Sequence, residues 1–271
     1  MQLVELQHIA GELAGRGVVP FAISYDSVET LAGFAQRNGI EYSLLADEGS
    51  AAIRRVGMLD EHLDQHHAEM GGTVRDDQRG VAYPGVFLLD EQGVVVERRF
   101  QRNYRVRESG LSLLEHFLGV RRPGAGPEAA GEGERVRVRA RLDSPTYWRY
   151  QRLWASVELD IAPGCHVYAS QSPVDYVPLS MELSAEGAEV GQPLWPEAHR
   201  LDVPGLNEEL WVYDGSIRVD VPFEFIIQRG EPLGDREVAL NVRWQACDAT
   251  TCWPPEQASL RLPVHERASV E

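Results

Sequence analysis

Leu3, Leu6, Ile9 or Ala10, and Leu13 recur at helical spacing, so the chain opens inside a helix that ends at Gly17. Residues 18–24 are then an apolar run of strand length, the kind suited to a sheet covered on both faces. Ser27 is placed to cap a helix carrying Leu31 and Phe34 on one face and ending near Asn38 and Gly39. A short strand over 42–46 and a helix over 50–56 follow. Residues 84–90 and 94–100 form a hairpin around Glu91, Gln92 and Gly93, and Leu111, Leu114 and Leu118 mark a closing helix. Strand and helix in alternation, finishing in a hairpin, is an α/β pattern.

The rhythm changes after residue 120. Residues 121–134, RRPGAGPEAAGEGE, hold four glycines, two prolines and little that is apolar, the composition of a flexible linker. From residue 135 onward apolar positions alternate, at Val136, Val138, Ala140 and Leu142, then at Leu153, Ala155, Val157, Leu159 and Ile161. The series continues over 177–183, 217–225 and 238–244. Many short strands between Pro and Gly turns, without a helical stretch, predict an antiparallel β-sandwich. The expected division is an α/β domain over 1–120, a linker over 121–134 and an all-β domain over 135–267.

Two of only three cysteines, Cys247 and Cys252, lie in RWQACDATTCWPPE, between the alternating runs 238–244 and 258–264. They therefore face each other where two antiparallel strands meet, and such a site can bring Cα atoms within the roughly 4.4–6.8 Å of a disulfide. Pro254 and Pro255 stiffen the exit and cannot donate to a central ladder. Three interpretations compete. A redox site needs an accessible pair; a structural staple would gain little from so short a loop; a metal pair needs about four ligands, and no partner with convincing spacing is nearby.

Composition narrows the field. With 43% hydrophobic and 25% charged residues the chain is globular, and 271 residues suit two domains. The net charge of −16 argues against nucleic acid or an anionic membrane as partner. There is no lysine, which excludes Schiff-base, P-loop and lysine-base chemistry. No apolar run is long enough to span a membrane. Met1 leads into an amphipathic pattern rather than a basic and then apolar one, so no secretory signal is expected. A close cysteine pair fits both an oxidising compartment and a catalytic thiol in a reducing one. Residues 59–80 form a polar segment expected to be a solvated loop. In it His62 and His66 stand four apart with His67 beside them, and on a helix they would be able to share a metal with Asp60, Glu61 or Asp64.

Two resemblances add to this. The patches VVPFAISYDSVETLAGFAQRNGIEYSLLADEGSAAIRRVGM and VAYPGVFLLDEQGVV, within residues 1–118, resemble the thioredoxin-fold redoxins of the alkyl hydroperoxide reductase/thiol-specific antioxidant (AhpC/TSA) family. That resemblance implies a reactive cysteine at the N-terminus of the first helix, where the helix dipole lowers a thiol pKa. QLVELQ resembles the helix after that motif, so the domain is expected to be truncated. A start at an internal methionine, or an upstream readthrough codon such as one for selenocysteine, would account for it. No cysteine precedes Cys165, so no peroxidase activity is expected of residues 1–118 as they stand. By the same resemblance Pro84 is expected to follow a cis peptide facing the site.

GCHVYAS (164–170), LWVYDGSIRVDVPF (210–223) and above all WQACDATTCWPPE resemble the N-terminal, immunoglobulin-like domain of the thiol:disulfide interchange protein DsbD family. The resemblance implies that Cys247 and Cys252 are a redox-active dithiol flanked by Tyr168 and Tyr213, exchanging electrons with a thioredoxin-like or DsbD-like partner and needing no cofactor or metal. Asp248 is expected to disfavour a thiolate beside it. The shielding loop, about 199–209, offers Val203, Pro204 and Leu206 but no aromatic residue, and Cys165 is expected to be a buried small hydrophobe. The alternative is a binding or copper-handling module with a structural disulfide, using the histidine-rich segment and the cysteines as ligands.

Overall fold

Ile9 and Leu13 face inward from the helix α1 (Gln2–Ala14), as their spacing requires. The computed structural model describes residues 2–69, 72–101, 103, 105–120, 126–173, 175–202, 209–227 and 231–267. The chain divides into two units, Met1–Arg121 and Arg122–Glu271.

In the first unit, α1 is followed by β1 (Phe21–Ser24), α2 (Val28–Asn38), β2 (Ser43–Ala46), α3 (Ala51–Arg55), α4 (Leu63–Glu69) and a 3-10 turn at Asp76–Gln78. Strands β3 (Gly85–Leu89), β4 (Val95–Phe100) and β5 (Arg107–Glu108) and the helix α5 (Gly110–Leu118) complete it. Ser27 caps α2 by accepting from Thr30 N, and Gly39 ends it in the left-handed conformation with φ 61°. Ile9 and Leu13 pack on Leu114 of α5, and Glu5 accepts from Gly110 N at 3.2 Å, placing a carboxylate on the electropositive end of α5. β1 pairs in parallel with β2, and β3 pairs with β4 in an antiparallel hairpin.

Three expectations fail in this unit. The first strand is not covered on both faces. Phe21 and Ile23 alternate outward at 53% and 46% exposure, and β1 pairs with β2 alone among the described residues. The Tyr83–Pro84 peptide is trans. Tyr83 N donates to Met58 O and Pro84 O accepts from Gln101 N, so extended backbone satisfies both groups, and trans is the lower-energy X–Pro isomer. Residues 59–80 are not simply a loop, since buried Leu63 anchors α4 and the buried Asp60 carboxylate holds His66 Nδ1 at 3.0 Å.

The second unit is β-rich. Its strands are β6 (Glu128–Glu132), β7 (Val136–Leu142), β8 (Thr146–Tyr147), β9 (Gln151–Ile161), β10 (His166–Tyr168), β11 (Ser180–Ser184) and β12 (Ala188–Val190). Then come β13 (His199–Leu201), β14 (Leu210–Asp214), β15 (Ser216–Phe225), β16 (Arg236–Trp244), β17 (Ala246–Cys247) and β18 (Glu256–Glu266). No helix lies between residues 136 and 264 among the described residues.

One sheet runs β12-β15-β9-β7-β6, a second β11-β16-β18-β8, and a third β13-β14-β10-β17. Alternate residues of the first two meet in a single core: Val138, Val157, Val221 and Phe223 from one, Leu240, Val242, Trp244, Leu262 and Val264 from the other. Each such side chain contributes roughly 1.5–3 kcal/mol on leaving water. The period-2 pattern thus predicted the strands and their inward faces correctly.

The expected linker over 121–134 is in part a strand. Residues 128–132 form β6, paired with β7 from Glu128↔Arg141 to Glu132↔Arg137. Its glycine serves close packing rather than flexibility: a Cβ on Gly131 would lie 2.8 Å from Ala258 Cβ. No helix among the described residues is long and apolar enough to cross a membrane.

Candidate functional site

The β16–β18 ladder ends at Trp244↔Glu256, and the chain between these residues leaves that sheet. Trp244 Nε1 donates to Glu256 Oε2 at 3.1 Å and so ties the base of the excursion. Ala246 and Cys247 then join the third sheet, opposite Val167 and His166 of β10. Asp248 turns the chain back: its Oδ1 accepts from Thr250 N and Thr251 N, both at 2.7 Å, and Asp248 N donates to Thr251 O. These bonds hold the Asp248 carboxyl below its ordinary pKa, the Thr250 amide contributing most.

The turn places Cys247 and Cys252 opposite each other between the backbone bonds from Asp248 N to Thr251 O and from Trp253 N to Ala246 O. That is a non-hydrogen-bonded position of an antiparallel pair, where backbones approach most closely. The two cysteines form a disulfide with a Cα–Cα distance of 4.0 Å. The two sulfurs differ in access, Cys247 being fully buried and Cys252 exposed. Beyond them Gln245 Nε2 donates to Trp253 O, and the Arg135 guanidinium lies over the Trp253 ring at 4.6 Å.

The third sheet has two unlike faces. Val167, Tyr213 and Ala246 point into the main core, while Tyr168, Leu210, Val212 and Cys247 form a separate small cluster on the other face, with Tyr176 and Leu201 against it. Tyr168 O–H reaches Cys252 Sγ at 3.7 Å, and burial, with Tyr176 close by, raises its pKa. Tyr213 is one register step away from this face. It stacks on Trp195, with ring centroids 6.4 Å apart, and is not beside the bridge. Tyr168 and Asp248 therefore adjoin the cysteines, whereas Tyr213 belongs to the core. Pro84 lies in the other unit. Val203, Pro204 and Leu206 fall outside the described residues. Cys165 is buried and free.

Sequence reasoning missed His166. It stands opposite both Cys247 and Asp214, on the face that carries the bridge. The signal was present, since His166 and Tyr168 are two apart on one strand and so share a face. Among the described residues no group of three His, Cys, Asp or Glu side chains is placed to hold a metal ion. His62 and His66 stack edge-on with centroids 6.3 Å apart.

Comparison with known proteins places these features. Residues 138–263 match the family described as thiol:disulfide interchange protein DsbD, N-terminal. Residues 1–98 match the AhpC/TSA family, a thioredoxin-like assignment for the first unit. No curated protein sequence matches the chain. Among solved structures, the N-terminal periplasmic domain of ScsB from Proteus mirabilis is similar at 15% identity and a TM-score of 0.38, over 51% of this chain and 51% of that one. The match thus spans about half the length of that protein. The yeast GGA1 GAE domain is similar at 9% identity and a TM-score of 0.29, over 51% of this chain and 99% of that one.

Proposed function

We propose that this chain is a thiol–disulfide oxidoreductase in which the Cys247–Cys252 pair, at one end of an immunoglobulin-like β-sandwich, exchanges electrons with a thioredoxin-like or DsbD-like partner. The observation that carries this is the asymmetry of the bridge: one sulfur exposed, the other fully buried. The two family matches support a thiol-redox role in general. No cysteine precedes Cys165, so the proposal places the chemistry in the second unit.

Exchange requires in-line approach of a thiolate to one sulfur while the other departs with the bonding pair. Cys252 is the sulfur a partner reaches. Attack there forms a mixed disulfide through Cys252 and leaves the electron pair on Cys247. A second thiol of the partner then displaces Cys252, so the partner dithiol is oxidised and this pair reduced.

Treating the folded full-length chain with a thioredoxin-type dithiol, then alkylating and mapping by mass spectrometry, tests the proposal. Cys252 is expected to be alkylated ahead of Cys247 and Cys165, with a reduction potential in the catalyst range of about −270 to −120 mV. Offered the partner in its oxidised, disulfide form, Cys247→Ser is expected to attack it through Cys252, release one partner thiol and trap a mixed disulfide. A bridge that resists dithiols until the protein unfolds would mean that the cysteines are a structural staple.

A further inference from the structure

A cleft of about 260 Å³ opens at His166, lined also by Gly164, Cys165, His199 and Asp214 but by neither bridged cysteine. His166 is half-buried at the middle of this face. It stands opposite Cys247 on one side and Asp214 on the other, and residues so paired in an antiparallel ladder share a face with Cβ atoms about 4.5–5.5 Å apart. Its ring meets that of Tyr168 edge-on at 5.4 Å, and Tyr168 in turn touches Cys252. Among the described residues its Nε2 has no hydrogen-bond partner.

The groups facing the imidazole come from every neighbouring strand. Asp214 of β14 and Asp248 of the turn favour the charged ring, while His199 of β13, itself 3.3 Å from Asp214, disfavours it. Tyr168 keeps its proton, its phenol being raised. Burial outweighs the two carboxylates and holds His166 below its ordinary value of 6.5, so the ring is neutral at pH 7 while the sulfurs are bridged.

We propose that His166 is the positioning residue that makes buried Cys247 a competent leaving group, by becoming imidazolium as the Cys247 thiolate forms. This rests on the exchange reaction proposed above. The attacking thiol first gives its proton to solvent. Its sulfur bonds to Cys252 Sγ, the Cys247–Cys252 bond breaks, and the electron pair departs on Cys247 Sγ. His166 takes one proton from solvent, so the new anion is matched by a cation across the ladder rather than left alone in a buried site beside Asp248. On re-oxidation the thiolate is consumed and the proton returns to solvent. A lower-pKa leaving thiol departs faster, which is the advantage such pairing confers.

Two measurements on the full chain test this. In NMR titrations, the His166 imidazole is expected to titrate below 6.5 in the bridged protein and at clearly higher pH after reduction with dithiothreitol. In His166→Gln, mixed-disulfide formation at Cys252 is expected to slow roughly tenfold, and the thiolate absorbance of a His166→Gln/Cys252→Ser protein to rise only at higher pH than in Cys252→Ser alone. An imidazole midpoint unchanged by reduction overturns the proposal even where a variant fails to fold. So does unaltered exchange in His166→Gln, and in both cases a pair that still exchanges leaves the exchange reaction proposed above intact. A bridge that dithiothreitol cannot reduce in the folded protein overturns both.

Discussion

The hydroxyl of Tyr168 lies 3.7 Å from Sγ of Cys252, across 84 residues of sequence. While the bridge is closed this is a weak contact to a neutral sulfur. Once Cys252 is a thiolate, the same O–H becomes a donor to a charge, worth roughly 1.5–3 kcal/mol. In a Cys247→Ser background, Tyr168→Phe is therefore expected to shift the Cys252 thiolate absorbance to higher pH and to slow its exchange about tenfold. Thermal stability should hardly change, since the ring remains. An unchanged thiolate titration would remove Tyr168 from the site.

Asp248 makes the turn sensitive to acid. Its carboxyl sits below the ordinary aspartate value of 3.8 because the amides of Thr250 and Thr251 donate to it. A depressed folded value stabilises the turn fully above the unfolded pKa, and this contribution is lost as pH falls through the lower folded value. The Thr250 and Thr251 amide shifts are expected to titrate together below pH 3.8 in the native protein and to lose that transition in Asp248→Asn. A midpoint at or above 3.8 would contradict the hydrogen bonding described.

The bridge and the core should differ in what they contribute. Cys247 and Cys252 are five apart, so the chain-entropy estimate for the closed loop is only roughly 2 kcal/mol. Phe223 is fully buried between the two large sheets, and truncating such a ring costs about 3–5 kcal/mol. Denaturant unfolding of Cys247→Ser/Cys252→Ser and of Phe223→Ala is expected to rank them in that order. A larger loss on removing the cysteines would favour the staple.

Gly131 distinguishes a packed strand from a linker. In a flexible linker Gly→Ala is neutral or slightly stabilising. In β6 the new methyl would meet Ala258 Cβ at 2.8 Å, a contact only backbone movement relieves, at about 1–3 kcal/mol. Gly131→Ala is expected to lower the melting temperature by several degrees, and an unchanged melting temperature would restore the linker.

Local periodicity carried much of this structure. The alternation at Val136–Leu142 was enough to place β7 and its buried face, because a strand covered on one side repeats every two residues, and that at Leu153–Ile161 was enough to place β9. Ser27 and Gly39 announced both ends of α2, since caps are satisfied within a few residues. The spacing of Cys247 and Cys252 between two alternating runs made a bridge at the turn possible beside a metal pair, and the structure closes it as a disulfide. Features that depend on distant segments were not legible. Residues 128–132 read as linker because glycine has the same letter whether it supplies freedom or room, and only the approach of Ala258 separates the two. The trans peptide before Pro84 follows from where Met58 and Gln101 take up the backbone bonds. Tyr168 and Tyr213 look alike in sequence, but the register of β10 and β14 turns one toward Cys252 and the other into the core. His166 reaches the site only because Cys247 leaves the β16 ladder to pair with β10, so the partner across a sheet, which no local pattern specifies, decided which side chains surround the sulfurs.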